Sequence, residues 1–306
     1  MAEFKINDED FAVLKGKVVI VTGSSSGIGK ATSDLLLSQG ALVVGADINE
    51  PVADSVPAAP AFTFAKTDVT KWGELVALFR GTKQVHGRID HVHANAGIPP
   101  RAKYVDLELD DNGDPKEPTS IVIDINLTSV MNTVALAGHY LRQEPDGGSV
   151  VITTSVFGLQ RVARPDYVSA KHGAVGVLRS MHKLFTSEGL PIRVNAVAPS
   201  WTSTNMVPGD VLTKLDIDVQ PPSAIARAVL ILMADESRKG HHIVVDHGVY
   251  KEVDDAVYMP AYDAIKHKDT TNEDASANRI IAELFSQRSN GERPEPWRYT
   301  AEVQSA

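Results

Sequence analysis

Tyr167 and Lys171 have the residue types and the spacing that proton-transfer chemistry needs, because they stand four apart in the segment YVSAK. On a helix, that spacing places both side chains on one face. A tyrosine with its ordinary pKa of about 10 exchanges protons poorly near neutrality, but an adjacent ammonium favours the phenolate. Lowering the tyrosine pKa to about 7 needs roughly 4 kcal/mol of stabilisation of the phenolate. Two positive charges near the phenolate in a cleft that excludes water could supply this energy. Tyr167 is therefore a candidate general acid or base, although exposed helix faces also carry such pairs by chance.

Ser155 is a third candidate, because it ends the apolar segment GGSVVITTS 12 residues before Tyr167. If that segment is a strand, the hydroxyl emerges at the carboxyl edge of the sheet, where open α/β folds bind their ligands. There it could bond a substrate oxygen beside Tyr167. The alternative is that Ser155 simply caps a turn or a helix.

A glycine-rich turn, VTGSSSGIGK at 21–30, follows an apolar run at 18–21. Missing side chains, outward-pointing backbone N–H groups and a helix dipole make such a turn a phosphate-binding site. Gly23 is expected to make the turn, Gly27 to open the helix, and Gly29 to let the helix lie close to the strand. An ordinary strand-to-helix turn is the alternative, because glycine is common there.

Asp47 indicates which molecule carries the phosphates. It ends the second apolar run, 18 residues after Gly29, where dinucleotide-binding units place a carboxylate that bonds the adenosine ribose hydroxyls. A carboxylate repels a 2′-phosphate, and neither SSS (24–26) nor DINE (47–50) supplies an Arg or Lys to neutralise one. NAD is therefore favoured over NADP. The alternative for Asp47 is a solvated acid at the end of a strand.

Short apolar runs that alternate with helical periodicity must position these residues. They predict an α/β fold: a single-domain Rossmann fold with a doubly wound, parallel, seven-stranded sheet and helices on both faces. The strands are predicted at 17–23, 41–47, 62–68, 89–97, 147–155, 192–200 and 242–248. The helices are predicted at 27–39, 71–86, 119–143, 167–188 and 222–235. Three prolines within 48–60 argue against a full crossover helix there.

The domain that holds the cofactor and the catalytic site is expected at 15–250. Residues 1–14 are expected to be an N-terminal extension. Residues 251–306 are expected to be a C-terminal extension, with a helix near 274–288, that serves as a lid or an oligomer contact. The acidic, turn-rich segment 106–118 is expected to be an exposed loop.

The order of these motifs resembles that of the short-chain dehydrogenases/reductases, over roughly residues 15–250. The resemblance rests on TGSSSGIG (22–29), DVT (68–70), NAG (95–97), Asn126 in DINLTSV, Ser155, YVSAK (167–171) and NAVAPSWTST (195–204). The acidic insert at 106–118 is similar to that of dehydrogenases from filamentous fungi, several of which act in secondary metabolism. The family generally self-associates, so the resemblance implies a homodimer or a homotetramer.

The resemblance implies a catalytic tetrad. Tyr167 would exchange a proton with the substrate oxygen, and Ser155 would hold that oxygen. Lys171 would bond the nicotinamide ribose and lower the tyrosine pKa, and Asn126 would anchor a water in a proton relay. The residues implied to contact the cofactor are Gly23, Ser25, Ser26, Gly27, Ile28, Gly29, Asp47, Asp68, Val69, Asn95, Ala96, Gly97, Tyr167, Lys171, Pro199, Thr202 and Thr204.

Two positions depart from the family pattern. Ala94 stands where a first asparagine is usual, and Ser200 stands where glycine is frequent after Pro199, which leaves the conformation of the nicotinamide-side loop open. The apolar residues that follow Ser155 and Pro199 either line a substrate pocket or pack between loops. They are Phe157, Leu159, Trp201, Met206 and Val207. In the first case, the substrate is a bulky apolar secondary alcohol or ketone.

Composition excludes several other functions. The chain has no cysteine, so disulfides, thiolate metal sites and cysteine nucleophiles are excluded. Its 30 basic and 39 acidic residues give a net charge of −9, so we expect no nucleic-acid partner. No signal peptide or apolar run of about 18 residues is evident, so we expect no membrane partner and a cytoplasmic protein. We expect the five clustered histidines to be structural and no metal to be bound. They are His91, His93, His241, His242 and His247.

The sequence thus predicts an NAD-dependent oxidoreductase that interconverts a small-molecule secondary alcohol and a ketone. The alternative is a redox-sensing regulator that binds the dinucleotide without turnover. The intact set of Asn126, Ser155, Tyr167 and Lys171 argues against a regulator, because a sensor needs no proton relay.

Overall fold

The elements are those of a computed structural model, which describes residues 3–52, 61–207, 209–265 and 280. Its strands are β1 Glu3–Phe4, β2 Val18–Thr22, β3 Leu42–Asp47, β4 Phe62–Lys66, β5 His91–Ala94, β6 Gly148–Thr153, β7 Ile192–Pro199, β8 His242–Asp246 and β9 Val249–Glu252. Its α-helices are α1 Gly27–Ser38, α2 Trp72–His86, α3 Ile121–Ile123, α4 Ser129–Leu141, α5 Pro165–Ser187, α6 Gly209–Lys214, α7 Pro222–Ala234 and α8 Met259–Ile265. The 3-10 segments are Asp8–Leu14 and Val156–Gly158, and the π-helical segments are Asp124–Thr128 and Asp254–Tyr258.

One sheet carries all of these strands in the order β1-β9-β8-β7-β6-β5-β2-β3-β4. From β4 to β8 the seven strands are parallel, which confirms the predicted doubly wound sheet. β9 and β1, which the sequence pattern did not predict, extend one edge in the antiparallel sense. The strand order reverses between β2 and β5, so the ligand crevice of such a fold lies at their carboxyl ends.

The strands are buried on both faces, and neighbouring residues point to opposite cores. In β2, Ile20 packs into the core that contains residues of α2, α4 and α5. Val19 and Val21 pack into the other core, which contains residues of α1 and α7. This alternation follows from the strand's two-residue period, and burial on both faces explains why β2 reads as a continuous apolar run.

Among the described residues, the helical stretch Ile121–Leu141 stands out for its length and its apolar composition. Ile121–Leu141 has a mean hydropathy of 1.5 in its most apolar window, which would suffice for a membrane span by length and composition. Half of that window is buried inside the protein, and Val134, Ala137 and Leu141 lie in a core. Packing against the sheet therefore accounts for its apolar composition.

The N-terminal segment belongs to the sheet and the core, in contrast to the expected extension at 1–14. β1 pairs with β9, and Phe11 and Leu14 are fully buried. The first compact unit ends at Tyr258, later than the expected boundary at 250, and a second unit begins at Met259. In the second unit, the structure describes α8, whereas the helix expected near 274–288 lies outside the described residues apart from Ile280.

The segment 106–118 is largely exposed and has no helix, as predicted. It folds into a small hairpin with a bridge between Leu109 and Pro115. The proline-bearing segment 48–60 is described up to Val52, and its described part has no helix.

Candidate active site

The glycine-rich turn brings α1 against the end of β2. Gly23 has a φ of 68° and Gly27 a φ of 52°, which suits glycine. A Cβ on Gly29 would lie 2.0 Å from the Gly23 carbonyl oxygen, so no other residue fits there without movement. Ser26 precedes α1 and makes no side-chain cap. The turn thus leaves the backbone amides at the start of α1, including that of Ile28, for an anion such as a pyrophosphate.

Asp47 lies beside this turn, at the end of β3. Its Oδ2 accepts a hydrogen bond from the Ser25 amide at 3.1 Å, and its Oδ1 accepts one from the Asn49 amide at 2.9 Å. The Ser25 hydroxyl donates to the Asn49 carbonyl at 2.6 Å. Asp47 is partly exposed, so each carboxylate oxygen keeps room for a further donor. These features fit the hydroxyls of an adenosine ribose.

Lys66 is a residue near this site that the sequence analysis missed. It ends β4 directly opposite Asp47 in the register of the two strands, and it is exposed. Lys66 lies outside 24–26 and 47–50, the two segments from which the preference for NAD was inferred. Strand pairing, which is not a local property of the sequence, places this ammonium close to the end of β3.

The residues of DVT serve the loop after β4. The Asp68 carboxylate accepts hydrogen bonds from the Thr70 amide at 2.9 Å and the Thr70 hydroxyl at 2.7 Å, and the hydroxyl bond is the main reason that its pKa lies below the usual value. The Asp68 amide donates to Glu74 at 2.7 Å. Val69 is buried in the core, and its side chain therefore serves packing.

Asn95 joins the ends of three neighbouring strands. Its Nδ2 donates to the Thr22 carbonyl at 3.0 Å, and its Oδ1 accepts from the Thr153 hydroxyl at 3.0 Å. The amides of Asn95 and Ala96 both donate to the Thr22 hydroxyl, at 2.9 and 3.1 Å. The NAG segment is thus fixed at the carboxyl edge of the sheet, against the glycine-rich turn.

Tyr167, Lys171 and Ser155 come together beyond the carboxyl end of β6. Tyr167 and Lys171 occupy the first two turns of α5, and the Lys171 Nζ lies 5.7 Å from the centre of the Tyr167 ring. Lys171 is buried, and its Nζ donates to the Thr153 carbonyl at 2.9 Å. Ser155 hydrogen-bonds with Tyr167, and its Oγ also accepts the Phe157 amide at 3.1 Å.

Burial dominates the electrostatics of this pair. It raises the pKa of Tyr167 above its ordinary value, and the hydrogen bond with Ser155 opposes that rise only in part. Burial also lowers the pKa of Lys171 to about 8. The sequence analysis expected Lys171 to lower the tyrosine pKa, but in the protein alone the cost of burying a phenolate is larger.

Asn126 is fully buried in the π-helical segment between α3 and α4. Its Oδ1 accepts the Ile98 amide at 2.8 Å, and its Nδ2 donates to the Ile98 carbonyl at 2.9 Å. Both ends of the side chain are thus used to hold the loop that follows Gly97. The side-chain amide of Asn126 thus positions the backbone of this loop.

Aromatic rings contact Tyr167. The Phe157 ring makes edge-to-face contacts with Tyr167 at 6.2 Å and with Trp201 at 5.5 Å between centroids. Trp201 is 40% exposed and Met206 is 37% exposed, which is high for large apolar side chains. Leu159 and Val207 are half-buried in the same two loops. An apolar surface therefore extends from Tyr167 towards solvent.

The segment that follows Pro199, at the end of β7, lies against the glycine-rich turn. The Thr204 Cγ2 would be 3.2 Å from a Cβ on Gly27, so glycine is needed there for this approach. The Ser200 hydroxyl donates to Asp246 at 2.6 Å and accepts from Gln220 at 3.0 Å. The serine in place of the family's frequent glycine thus anchors this loop to the end of β8. Thr202 is buried, and its hydroxyl donates to the Ser200 carbonyl at 2.8 Å.

Three of the five clustered histidines contact hydroxyl groups, and the other two, His241 and His247, lie near aspartates. His91 lies 2.8 Å from the Ser149 hydroxyl and His93 lies 2.9 Å from the Thr153 hydroxyl, and burial lowers the pKa of both rings to about 3. His242 lies 2.8 Å from the Thr154 hydroxyl. Within the described part of the chain, no group of three or more acidic or histidine side chains could hold a metal ion.

Comparisons with known proteins bear on the family and the fold of this chain. A family model described as short chain dehydrogenase matches residues 17–214. The short-chain dehydrogenase/reductase ascJ of Acremonium egyptiacum is 44% identical, over 87% of this chain and 90% of that protein. A mitochondrial borneol dehydrogenase of Lavandula x intermedia is 32% identical, over 77% of this chain and 91% of that protein. The crystal structure of a levodione reductase has a TM-score of 0.64 and 25% identity, over 77% of this chain and 98% of that one.

Proposed function

The chain belongs to the short-chain dehydrogenase/reductase family, and we propose that it is an NAD-dependent oxidoreductase that interconverts a secondary alcohol and a ketone. One observation carries this proposal: the Tyr167 hydroxyl, the Ser155 hydroxyl and the buried Lys171 ammonium converge beside the strand switch that also holds the glycine-rich turn. The resemblance to fungal members is confirmed by the Acremonium relative.

A nicotinamide dinucleotide bound at the turn would supply or accept the hydride. Tyr167 would give a proton to the carbonyl oxygen or take one from the alcohol. The Ser155 Oγ accepts the Phe157 amide, and its own proton, which bonds to Tyr167 in the protein alone, would turn to the substrate oxygen. Lys171 places a positive charge behind the tyrosine ring. Together with a positive charge on the oxidised ring, this ammonium would offset the cost of burying a phenolate.

Asp47 supports the preference for NAD, because its carboxylate would repel the 2′-phosphate of a dinucleotide whose ribose it binds. Lys66 works in the opposite direction, because its ammonium stands opposite Asp47 in the sheet. Removing the carboxylate in Asp47→Ser should lower the ratio of kcat/KM for NAD over NADP by about tenfold or more. When Lys66→Ala is added to Asp47→Ser, the double variant should lose part of the gain in kcat/KM with NADP. An unchanged ratio in Asp47→Ser would show that the cofactor is selected elsewhere.

The apolar surface of Phe157 and Trp201 supports a bulky apolar substrate, such as a secondary metabolite. Aromatic edges and faces favour rings and hydrocarbon over charged groups. The name of the relative borneol dehydrogenase supports an alcohol as the reacting group. We also propose that the protein is cytoplasmic. We further propose that it forms a homodimer or a homotetramer, because Met131 on α4 and Leu184 on α5 are large apolar side chains that are exposed in the single chain. Sedimentation velocity tests the oligomeric state.

The first test follows nicotinamide reduction by absorbance with secondary alcohols from small cyclic to steroid size, using NAD and NADP in parallel. Tyr167→Phe should lose turnover and keep cofactor affinity, because the ring contact with Phe157 remains while the exchangeable proton is removed. Turnover that survives in Tyr167→Phe would contradict the mechanism. Tight NADH binding by calorimetry without turnover on the panel would favour the redox-sensing regulator.

A further inference from the structure

Asp166 has a buried carboxylate that the proposed mechanism does not use. The residue is 2% exposed and directly precedes Tyr167 in α5. Its Oδ2 accepts the amides of Arg101 at 2.8 Å and Ala102 at 2.9 Å, and its Oδ1 accepts the Tyr167 amide at 2.8 Å. Burial raises its pKa, but the hydrogen bonds from Ala102, Arg101 and Tyr167 hold the pKa below the usual value. A buried carboxylate is stable only with such partners.

Helix capping does not account for these contacts. A cap needs one acceptor for an amide of the first helical turn, and the bond from Tyr167 provides it. The other oxygen serves two amides of a loop that is 64 and 65 residues away in the chain. One carboxylate therefore connects the catalytic helix with a distant backbone segment.

That segment, residues 95–102, is here named the strap. It follows β5 in the chain, and its far end lies against the first turn of α5. Its backbone is held by side chains of β2, of the π-helical segment and of α5. Asn95 bonds to β2 and β6 at the first end. Asn126 bonds to both polar groups of Ile98 in the middle, and Asp166 bonds to the amides of 101 and 102 at the far end. The strap therefore links the NAG segment to the helix that carries Tyr167.

We propose that Asp166 is a positioning residue that couples the strap to the catalytic helix and so sets the place of the Tyr167 hydroxyl relative to Ser155. The inference rests on the proposed function. Tyr167 hydrogen-bonds with Ser155, and this bond lowers the tyrosine pKa. A shift of the first turn of α5 by a fraction of an ångström would weaken that bond without touching the glycine-rich turn.

The test compares Asp166→Asn with Asp110→Asn in the full-length protein. Asp110 is a matched control, because its carboxylate also accepts two backbone amides, those of Asn112 and Asp114, but in the exposed loop. In Asp166→Asn, kcat should fall about 10- to 100-fold, as expected for misplaced reacting groups, while the Kd for NADH stays the same. The rise of alcohol oxidation with pH should move to higher pH, because Tyr167 loses part of its bond with Ser155. Asp110→Asn should change neither kcat nor the pH profile.

Asp166→Ser separates coupling from capping. A serine can still cap the first turn but is too short to reach the strap, so it should reproduce the loss of kcat while preserving folding. The proposal is wrong if the kcat and the pH profile of both Asp166 variants match those of the wild type. It is also wrong if NADH affinity falls in proportion to kcat, because the effect would then be a general loss of structure.

Hydrogen exchange gives a readout that does not depend on turnover. In Asp166→Asn, the amides of 101 and 102 and the first turn of α5 should exchange faster than in the wild type and in Asp110→Asn. Unchanged exchange in both segments would overturn the coupling. If the wild type shows no turnover on the alcohol panel, the proposed function fails by itself, and the exchange experiment still decides whether Asp166 connects the two elements.

Discussion

At the scale of single residues, burial of Lys171 is costly for stability. Its ammonium lies inside the protein with the Thr153 carbonyl as hydrogen-bond partner. The folded pKa of about 8 is below the ordinary lysine pKa of 10.5, so the folded state binds this proton less tightly than the unfolded state does. The loss of stability from burying the Lys171 ammonium is therefore fully present below about pH 8. It decreases as the pH rises from about 8 and is gone above about 10.5.

Lys171→Met should therefore make the protein more stable at pH 7 while abolishing turnover. The expected gain in the free energy of unfolding is about 1–3 kcal/mol, because the pKa difference is partly offset by the lost hydrogen bond to Thr153. Urea unfolding at pH 7 and at pH 10 measures the gain, which should shrink at the higher pH. Lys183→Met, an exposed position on the same helix, is the control and should show no such gain. A less stable Lys171→Met protein at pH 7 would contradict this account.

The chemistry-bearing residues could be predicted because each belongs to a short local pattern. The glycine-rich turn, YVSAK and Ser155 at a strand end are examples, and the structure brings them to one edge of the sheet. Lys66 and Asp166 could not be predicted in this way. Lys66 acquires meaning from strand register, and Asp166 from amides 64 and 65 residues earlier in the chain. The electrostatic balance at Tyr167 likewise depends on burial, which spacing does not reveal.

At the scale of elements, the contact between α1 and the end of β2 determines where a phosphate can bind. This contact depends on Gly29, whose absent side chain lets the helix approach the Gly23 carbonyl. If α1 were displaced by the width of even one methyl group, its first backbone amides would move away from the glycine-rich turn. Close packing at this point therefore connects fold stability with cofactor affinity.

Gly29→Ala should lower both NADH affinity and stability. The added Cβ would lie 2.0 Å from the Gly23 oxygen and 2.7 Å from the Asn95 Nδ2, so α1 must move. The expected destabilisation is about 1–3 kcal/mol, as for overpacked cores. Calorimetric titration with NADH and thermal unfolding measure the two effects. Gly176→Ala, in an open and exposed part of α5, is the control and should gain about 0.5–1 kcal/mol. Equal behaviour of the two variants would refute the packing argument.

The long elements were predictable to within two residues at most ends, because apolar periodicity over 12 or more residues is unambiguous, as in α1 and α5. β1 has two residues and β9 has four, so neither carries a period that a sequence pattern could reveal. Their pairing joins the two ends of the first compact unit. The π-helical segment at Asn126 was also unforeseen, since an extra residue in a helical turn leaves no mark on composition.

At the scale of the whole molecule, an ion pair connects the segment after β9 with α5. Arg179 of α5 donates two hydrogen bonds to Asp254, at 2.8 and 2.9 Å. The Asp254 side chain is 5% exposed, and His242 of β8 lies 3.6 Å away. Burial raises the pKa of Asp254, but His242 and Arg179 together lower it to about 2.

The ion pair between Arg179 and Asp254 should make the free energy of unfolding depend on pH in the acid range. The folded pKa of Asp254 lies below the ordinary aspartate pKa of 3.8, so the contribution of Asp254 to stability is present above about pH 4 and is lost as the pH falls towards 2. Asp254→Asn should lose roughly 2 kcal/mol or more at pH 7, and the difference from the wild type should narrow below pH 4. Urea unfolding across this range measures it. Asp255→Asn is the neighbouring control, with a 69% exposed side chain, and should stay close to the wild type at every pH.

The pairing of β1 with β9 has a consequence for biosynthesis. The ribosome makes β1 early, yet its partner strand β9 appears almost 250 residues later, so β1 stays unpaired during most of translation. Once β8 is made, it presents unpaired backbone groups at the edge of the sheet until β9 follows, and such an open edge is a usual starting point for aggregation. A nascent chain stalled before Val249 would therefore be a natural client of chaperones, and its release would close the edge in a single late step.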